Sequence, residues 1–342
     1  LSFLFNQFET SGTLSWEADI WGKIRSTKRA SDASYLQTVA AHRVVKTSLV
    51  SQIATTYYQL LALDKQISVT EETIETRSKS LETITALKEA GQENQVGVDQ
   101  TAAQLYSAQS QLLDLKNALY KTENTLSILL SEAPQDYDRG TLDDQKLSAN
   151  MQLGVPALLL RNRPDIMQAE YGLVNSFELT NVARSNFYPS ITLSAQGGFQ
   201  SLELDNWIDS SSIFANLVGG LTQPIFNGRK VRTAYEVAKA QQEQSLLSFK
   251  QSLLVAGKEV SEALYDYNIS LEKEAFVSKQ VVALKRAEDN SEELLNSGYL
   301  TYLDLLTARE NSLNAELSLV DNKLDQLSAT VELYRSLGGG WQ

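Results

Sequence analysis

The chain has 342 residues, a net charge of −12 at pH 7, no cysteine and one histidine. The lack of cysteine excludes disulfide frameworks and thiolate zinc sites from this sequence, and the acidic balance argues against a nucleic-acid partner. His42 lies in a segment predicted to be helical, and no glycine-rich phosphate loop follows a predicted strand. We therefore expect neither an enzyme nor a cofactor or metal site.

The first predicted element is a strand at Thr13–Ile20, in which polar and apolar residues alternate. Leu14 and Trp16 share one face, and Ser15 and Glu17 share the other. Such alternation is typical of a transmembrane β-strand with lipid on one side and water on the other. It is equally typical of a half-buried strand in a soluble sheet, so the pattern alone leaves both interpretations open.

A long helix is predicted next, because neither glycine nor proline occurs between Gly22 and Gly91. Proline and interior glycine end helices, so this segment can form a single helix on the order of 100 Å long. A turn is predicted at Glu89–Gln92, and a second helix follows it. The leucines of this second helix have coiled-coil spacing: Leu112, Leu115, Leu119, Leu126 and Leu129.

The middle of the chain is interrupted by prolines: Pro134, Pro156, Pro164 and Pro189. Residues 131–163 are polar and irregular, which predicts a small segment outside the main helices. A helix is predicted at 164–186, and strands are predicted at 190–202 and at Ile213–Phe226. Alternation gives these two strands one apolar face: Ile191, Leu193, Ala195, Ile213, Ala215, Leu217 and Leu221.

The chain is an internal repeat, because a shift of 207 residues aligns its landmarks. Gly91 aligns with Gly298, and Gly22 aligns with Gly228 once a one-residue gap is allowed. The repeat predicts a second long helix, which contains only Gly257, and a second turn around Gly298. Coiled-coil spacing recurs in both helices of this copy: Leu246, Leu253, Val260 and Tyr267 in the first, and Leu313, Leu317, Val320, Leu324, Leu327, Val331 and Tyr334 in the second.

The helix at 164–186 and the strand at 190–202 have no counterpart in the first copy. We therefore expect their counterparts upstream of Leu1, and four strands in each protomer. Four strands cannot close a barrel, and an open sheet would leave unpaired edges in lipid. Membrane strands would thus require a homo-oligomer, and a trimer would supply about twelve strands. An antiparallel coiled-coil scaffold explains the helices but does not explain the strands.

Several motifs occur in an order that resembles the TolC-like outer-membrane efflux channels, especially the OprM-like branch that serves resistance-nodulation-division pumps. The most specific is Arg161–Glu170, with the sequence RNRPDIMQAE, and Ala183–Ile191 follows it. The strand-to-helix segments Asp19–Lys23 and Pro224–Arg229 and the C-terminal Leu333–Trp341 are also similar to that family. The signature residues that we expect to be structural are Gly22, Arg163, Pro164, Asp165, Ile166, Pro189, Pro224 and Gly228.

The resemblance implies a mixed α and β membrane protein. In it, a trimeric twelve-stranded β-barrel in the outer membrane continues into the periplasm as a long α-helical coiled-coil barrel. The family often carries an upstream signal peptide and a lipid-modified cysteine. The segments then divide into a strand region (1–21), a helical hairpin (22–130), an equatorial segment (131–163), a helix (164–189), a strand pair (190–227), a second hairpin (228–337) and a tail (338–342).

The resemblance also implies a passive exit duct for drugs or other small toxic compounds. The compounds would come from an inner-membrane pump through a periplasmic adaptor. The family closes this duct at the hairpin tips, where aspartates line a constriction. Asp304 occupies such a position, Thr307 occupies the next one, and Asp99 is the nearest aspartate in the first copy.

Leu300 stands where some members carry a tip arginine, so we expect packing of Leu300, Tyr299 and Tyr302 to replace salt links in closing the gate. The adaptor is expected to dock on residues 90–98 and 297–303. The tip residues singled out for this contact are Gly91, Gln92, Gly97, Ser297 and Gly298.

Alternative interpretations stay open at this point. Asp304 is equally suited to capping the helix that follows it, and the tips to being ordinary turns. The net charge predicts either a cation-selective lumen or simple surface charge. A channel for metal-ion or type I protein export fits the same residues, and a soluble coiled-coil scaffold would need no detergent.

Overall fold

The computed structural model describes residues 6–145 and 162–341, so Pro156, Arg161 and the first five residues lie outside the described part. The chain divides into two compact units: one contains the described residues up to Ala41 with Asp165–Ser252, and the other contains His42–Pro164 with Leu253–Gln342. The elements, in order, are β1 (Phe8–Glu17), α1 (Lys23–Glu89), α2 (Gln95–Leu129), α3 (Pro164–Ser185), β2 (Ser190–Ser201), a 3-10 turn (Ser210–Ser212), β3 (Ile213–Thr222), α4 (Lys230–Asn296) and α5 (Tyr302–Ser336).

The two long helices confirm the prediction from the missing helix breakers, because α1 and α4 each run for 67 residues. Their first residues, Lys23 and Lys230, are 207 positions apart, and so are their last residues. The same offset of 207 relates both ends of α2 to both ends of α5. The predicted one-residue gap was wrong. Arg229 is the counterpart of Gly22, and both adopt a left-handed backbone, with φ of 65° and 77°.

The strands form one antiparallel sheet in the order β1-β2-β3. Its register places Leu14 opposite Ala195 and Ala195 opposite Leu217, with Trp16 opposite Leu193. Alternation therefore puts these side chains on one face of the sheet, as the sequence predicted. Within the described residues, the outer edges of β1 and β3 have no strand partner.

Two strands end earlier than predicted. β1 ends at Glu17 because the Asp19 carboxylate accepts hydrogen bonds from the amides of Ile24 and Arg25, at 2.9 and 3.0 Å, and so starts α1. β3 ends at Thr222 because Pro224 follows it, and proline cannot donate to a strand ladder. The predicted limits at Ile20 and Phe226 are therefore corrected.

Three predicted coiled-coil positions of α5 lie in the core of the second unit, whereas Tyr334 at the end of the predicted seam is 57% exposed. Leu313, Val320 and Leu327 are buried there, and Val320 and Leu327 join a cluster with Leu61 and Ala62 of α1. The predicted seam of α4 is buried only in part. Val260 and Tyr267 are buried, whereas Leu246 and Leu253 remain more than a third exposed. A single chain therefore buries only the second half of the predicted α4 seam.

Arg139 is the most highly connected residue between the polar segment after α2 and the first hairpin, and Lys65 of α1 adds an ion pair with Asp143 at 2.9 Å. The Arg139 guanidinium binds the Asp64 carboxylate of α1 at 2.5 and 3.0 Å and the Glu123 carboxylate of α2 at 2.7 Å. At the C-terminus, the Trp341 ring lies under the Arg43 guanidinium, 4.4 Å from its carbon. The described part of the predicted equatorial segment is therefore anchored by charge-assisted hydrogen bonds and also by Leu142, which is buried in the cluster with Leu61 and Ala62.

Candidate functional site at the hairpin tips

The two hairpin turns have the same helix-ending geometry. Gly91 and Gly298 adopt φ of 75° and 77°, a left-handed conformation that favours glycine. The amide of each glycine bonds the carbonyl three residues earlier, and the next amide bonds the carbonyl five residues earlier, all at 2.9 Å. This is the Schellman arrangement, and its left-handed position favours glycine at both turns. Gln92 and Ser297 beside them are exposed, as the adaptor-docking prediction requires.

The helices that leave the turns are capped in different ways. In the first hairpin, the Asn94 side chain accepts a hydrogen bond from the amide of Gly97 at 3.1 Å. In the second, the Asp304 carboxylate accepts from the amide and the hydroxyl of Thr301, at 3.0 and 2.6 Å. The capping side chain is therefore a neutral amide at α2, where the Glu93 carboxylate also accepts from the Asn94 amide at 3.3 Å, and a carboxylate at α5.

The Asp304 carboxylate is ionised and exposed in the single chain. The Thr301 hydroxyl and amide hold the pKa of Asp304 below its ordinary value by donating hydrogen bonds to the charged form. Asp304 thus fills the capping role that the sequence allowed, and its place at a gate stays a prediction. Thr307 and Asp99 are also exposed, and the Asp99 carboxylate accepts from the Gln95 amide group at 2.8 Å.

The three residues expected to pack across the gate occupy different environments. Tyr299 is 81% exposed, Leu300 is half-buried and Tyr302 is only 6% exposed. The Tyr302 ring belongs to a cluster shared by both hairpins of one chain: Ile84, Tyr302, Leu305 and Leu306, with Leu81, Val98 and Leu295 packed against it. Tyr302 thus joins the hairpins within a chain, and Tyr299 is the aromatic side chain that the tip exposes.

Two buried arginines link the hairpins next to this cluster. The Arg77 guanidinium of α1 donates to the Gln104 carbonyl of α2 at 2.7 Å and to the Glu310 carboxylate of α5 at 2.6 Å. The Arg309 guanidinium of α5 donates to the Ser80 hydroxyl of α1 and, at 3.2 Å, to the Glu292 carboxylate of α4. All four helices are therefore connected by charge-assisted hydrogen bonds.

Our sequence reasoning missed both arginines. The signal was a charged residue within a buried stripe, because Thr70, Arg77 and Ile84 are seven residues apart and all three are buried. Charged side chains are rarely buried unless they are paired. A lone arginine on such a stripe therefore predicts a partner on a neighbouring helix, although not which one.

The signature residues lie around the start of α3 and at the strand-to-helix transitions. Arg163 is buried and donates to the Ser336 carbonyl at 3.1 Å and the Glu259 carboxylate at 2.6 Å. Pro164, Asp165 and Ile166 form the first turn of α3, where proline is favoured. The remaining ones are at the transitions: the Pro189 carbonyl accepts from the Trp21 indole at 2.8 Å, Pro224 is exposed, and Gly22 and Gly228 have positive φ.

The two faces of the sheet differ in chemistry. One face exposes Leu14, Trp16 and Leu217, which are 60–72% exposed. On the other, Gln196 donates to the Ser11 hydroxyl at 3.1 Å. The exposed face is mostly apolar, as a lipid-facing surface requires, and the opposite face is mostly polar although it includes Val218, which suits an aqueous lumen.

Two further features bear on the site, namely helices that could span a membrane and groups that could hold a metal ion. No helix among the described residues is long and apolar enough to span a membrane. The described ranges contain no group of histidine and acidic residues suited to a metal ion. His42, the single histidine of the sequence, is exposed on α1.

Comparison with known families decides the identity. The profile of the outer membrane efflux protein family matches residues 5–132 and 155–339. The chain belongs to this family. It is therefore a protein of the outer membrane and of the channel type, not one of an enzyme family, and its long helices and membrane-type sheet are those of the efflux channels.

Named relatives of this efflux protein serve different pumps. It is 29% identical over 337 residues to the solvent efflux pump outer membrane protein SrpC of Pseudomonas putida, covering 98% of this chain and 72% of the relative. It is 28% identical over 342 residues to the cation efflux system protein CusC of Escherichia coli O6:H1, covering 98% and 73%. The CmeC outer membrane channel of Campylobacter jejuni has the same fold, with a TM-score of 0.90, 25% identity and coverage of 98% and 71%.

Proposed function

We propose that this efflux protein is the passive exit duct of a tripartite pump and that it works as a homotrimer. The observation that carries the proposal is the sheet, which exposes an apolar face and leaves the outer edges of β1 and β3 without a strand partner in the described residues. Unpaired backbone edges are not tolerated in lipid, so several copies must close a common barrel. The energy for transport comes from the partner pump.

The hairpin tips act as the gate in this proposal. Asp304, Thr307 and Asp99 are exposed near the ends of the hairpins, and Tyr299 is the exposed aromatic side chain. In a trimer, three copies of Asp304 would meet around one axis and attract cations. Their mutual repulsion would raise their pKa values and oppose the lowering that the Thr301 hydrogen bonds produce.

The same tips are the proposed docking surface for a periplasmic adaptor. Two Schellman turns of equal geometry, at Gly91 and Gly298, give each chain two near-equivalent tips. Three chains would present six of them, which suits a six-fold adaptor ring. Gly97 is half-buried, and its amide is bound by the Asn94 cap, so it supports the first tip from within.

The proposed cargo is a set of small toxic organic compounds, including drugs and solvents. The similarity to a solvent efflux protein favours it, and the comparable similarity to a cation efflux protein makes metal ions the second candidate. Deletion of the chain's gene, followed by growth with solvents, antibiotics or metal salts, distinguishes the two. Sensitivity to metal salts alone would favour the second candidate.

Single-channel conductance in planar bilayers tests the duct and its gate together. We expect small, cation-selective currents from the wild type and reduced cation selectivity in Asp304→Asn. Asp266→Asn, which removes an exposed aspartate from the middle of α4, serves as the charge-matched control. Equal currents in all three proteins would keep the duct and refute a carboxylate constriction. Absence of current from inserted protein would refute the duct.

A further inference from the structure

A cavity of about 350 Å³ lies between α1, α4 and α5 of the second unit, with the segment after α2 along one side. Val69, Val281 and Val320, one from each helix, form its apolar wall and are at most 9% exposed. The volume and this lining are those of a small-molecule site. The end of the cavity at Glu274 is separate from the hairpin tips, because Glu274 precedes the turn glycine Gly298 by 24 residues, roughly 36 Å along a helix.

The charges around the cavity are mostly balanced within the chain. Two ion pairs in the wall neutralise themselves, at 2.9 and 2.8 Å: Lys65–Asp143 and Lys285–Glu316. Glu274 and Lys323 also line the cavity, and neither has an ion pair among the described residues. The Glu274 carboxylate is therefore the negative charge that a ligand could neutralise.

A buried polar cluster surrounds this carboxylate. The Gln326 side chain donates to Glu274 at 2.8 Å and to the Ser270 carbonyl at 3.3 Å, and the Asn322 side chain donates to the same carbonyl at 3.2 Å. Asn322 and Gln326 are 0% exposed, yet their side-chain oxygens have no hydrogen-bond partner in the described chain. A buried acceptor without a donor is costly, so each such group calls for an explanation. Asn322 also lines the cavity, which places one of these acceptors in its wall.

The internal repeat shows that the fold does not need this polarity. The polar cluster and its counterparts 207 positions earlier are these pairs: Ser270 and Leu63, Glu274 and Ile67, Asn322 and Leu115, Gln326 and Leu119. The first hairpin therefore builds the same positions from apolar side chains. Polar residues in a coiled-coil seam cost stability, and such departures from local rules concentrate at functional sites.

We propose that this cavity binds a primary amine that carries an apolar body. An ammonium group has three hydrogen-bond donors and no acceptor, and the cluster offers acceptors: the Glu274 carboxylate, the Asn322 oxygen and the Ser278 hydroxyl in the same wall. The apolar body packs on the three valines. A diamine brings a second positive charge that Glu274 cannot balance, into a cavity that already contains Lys323, so the ligand is a monoamine.

Isothermal titration calorimetry on the detergent-solubilised full chain tests this site, with titration into protein-free micelles subtracted. The probe is 2-phenylethylamine, which is cationic at pH 7, and 2-phenylethanol has nearly the same shape without the charge. We expect saturable binding of the amine with one site per chain. The alcohol and 1,6-diaminohexane should each bind about tenfold more weakly or worse.

A single substitution separates the carboxylate from the rest of the cavity. Glu274→Gln keeps the size of the side chain and should weaken amine binding by about tenfold or more, while changing the alcohol little. Glu272→Gln removes an exposed glutamate from the same helix and should bind the amine like wild type.

A triple substitution guards against an effect on folding. Glu274→Ile/Asn322→Leu/Gln326→Leu installs the residues of the first hairpin, so it should unfold at a higher temperature than wild type and yet lose the amine. The amine should also raise the unfolding temperature of wild type and not that of the triple variant, because a ligand stabilises only a fold that binds it.

The outcomes decide the inference without involving the proposed duct. Saturable amine binding that Glu274→Gln weakens and Glu272→Gln does not would support it. Absence of saturable binding to wild type would overturn it, and so would equal binding of amine and alcohol or equal binding to wild type and Glu274→Gln. The polar cluster would then be only a weak layer of the α4–α5 seam, and the conductance test of the exit duct would stand unchanged.

Discussion

The Arg77 guanidinium and the Glu310 carboxylate are 2.6 Å apart, although Arg77 belongs to the first hairpin and Glu310 to the second. Arg77 is almost fully buried, whereas the Glu310 side chain is 46% exposed. The counterparts of these residues in the other copy are Leu284 and Ala103, which cannot form such a link. The two hairpins of one chain are therefore tied near their tips by a link that the repeat does not duplicate.

Removal of Arg77 should loosen the tips. Arg77→Met leaves the Gln104 carbonyl and Glu310 without their donor, at a cost of about 2 kcal/mol to this arrangement of the hairpins. If the tips form the gate and opening breaks this link, a change of this size raises the open fraction by roughly tenfold or more, and the mean conductance should rise accordingly. Arg286→Met, at an exposed position of α4, is the control and should leave conductance unchanged.

The start of α5 should depend on pH more strongly than the start of α2, because the capping side chain is a carboxylate only at α5. The pKa of Asp304 is lowered in the folded protein by the Thr301 hydroxyl and amide, so its ionised cap stabilises the helix above the ordinary aspartate range. That contribution is lost as the pH falls through the lowered pKa. Asn94, which caps α2, is neutral.

Hydrogen exchange at Tyr302–Leu306, corrected for intrinsic rates, measures this effect. Protection should be constant from about pH 8 to pH 5 and should fall below about pH 4, near the reference aspartate value. The first turn of α2 is the internal control. Asp304→Asn should abolish the difference in pH response between the two tips, and equal acid fraying of both tips in the wild type would contradict the prediction.

Replacement of Ser131 by glycine should stabilise the first hairpin. Ser131 ends α2 with φ of 58°, and its counterpart Gly338 ends α5 with φ of 87°. A left-handed conformation costs a non-glycine residue about 1 kcal/mol, so Ser131→Gly should raise the free energy of unfolding by about that amount.

The reverse substitution, Gly338→Ser, is the matched control. A Cβ at Gly338 would lie 3.1 Å from the backbone of Asn162, so this change should destabilise by more than Ser131→Gly stabilises. Thermal unfolding of the detergent-solubilised protein measures both. No change for Ser131→Gly would mean that other contacts hold this turn.

Adjacent residues of β3 should respond in opposite ways to a charge. Leu217 lies on the apolar face of the sheet, and Val218, on the opposite face, is paired with Ser194. An arginine on a lipid face costs roughly 2–4 kcal/mol near the bilayer centre, whereas a lumen-facing position tolerates it. Leu217→Arg should therefore reduce insertion into the outer membrane, measured by fractionation, and Val218→Arg should not. Equal loss in both would argue against this orientation of the sheet.

Local features of the chain were predictable from the sequence. The absence of breakers between Gly22 and Gly91 predicted α1, and the shift of 207 residues predicted its repeat. The helix and its repeat can be read from the sequence because helix breaking by glycine and proline is a local property of the backbone. The strand ends were less predictable. The Asp19 carboxylate caps α1 instead of continuing the strand, because the amides of Ile24 and Arg25 lie within hydrogen-bonding distance in the folded chain.

In the candidate site, too, some residues could be predicted from the sequence and others could not. Asp304 and Gly298 could be found because a turn glycine and a capping carboxylate have local signatures. The partners of Arg77 could not be found, because they lie on helices far away in sequence. Tyr302 and Tyr299 are three residues apart at the same turn, yet one is buried and the other exposed, since only one meets the cluster around Ile84.

The sequence by itself determined the helices, the repeat, the apolar face of the sheet and the family, because these follow from local backbone preference and residue pattern. Tertiary structure alone decided which heptad positions are covered. Leu113 and Val320 occupy equivalent heptad positions, yet Val320 is buried by α1 and Leu113 is exposed on α2. Burial is a property of neighbours in space, and the repeat places an equivalent neighbour beside only one of them.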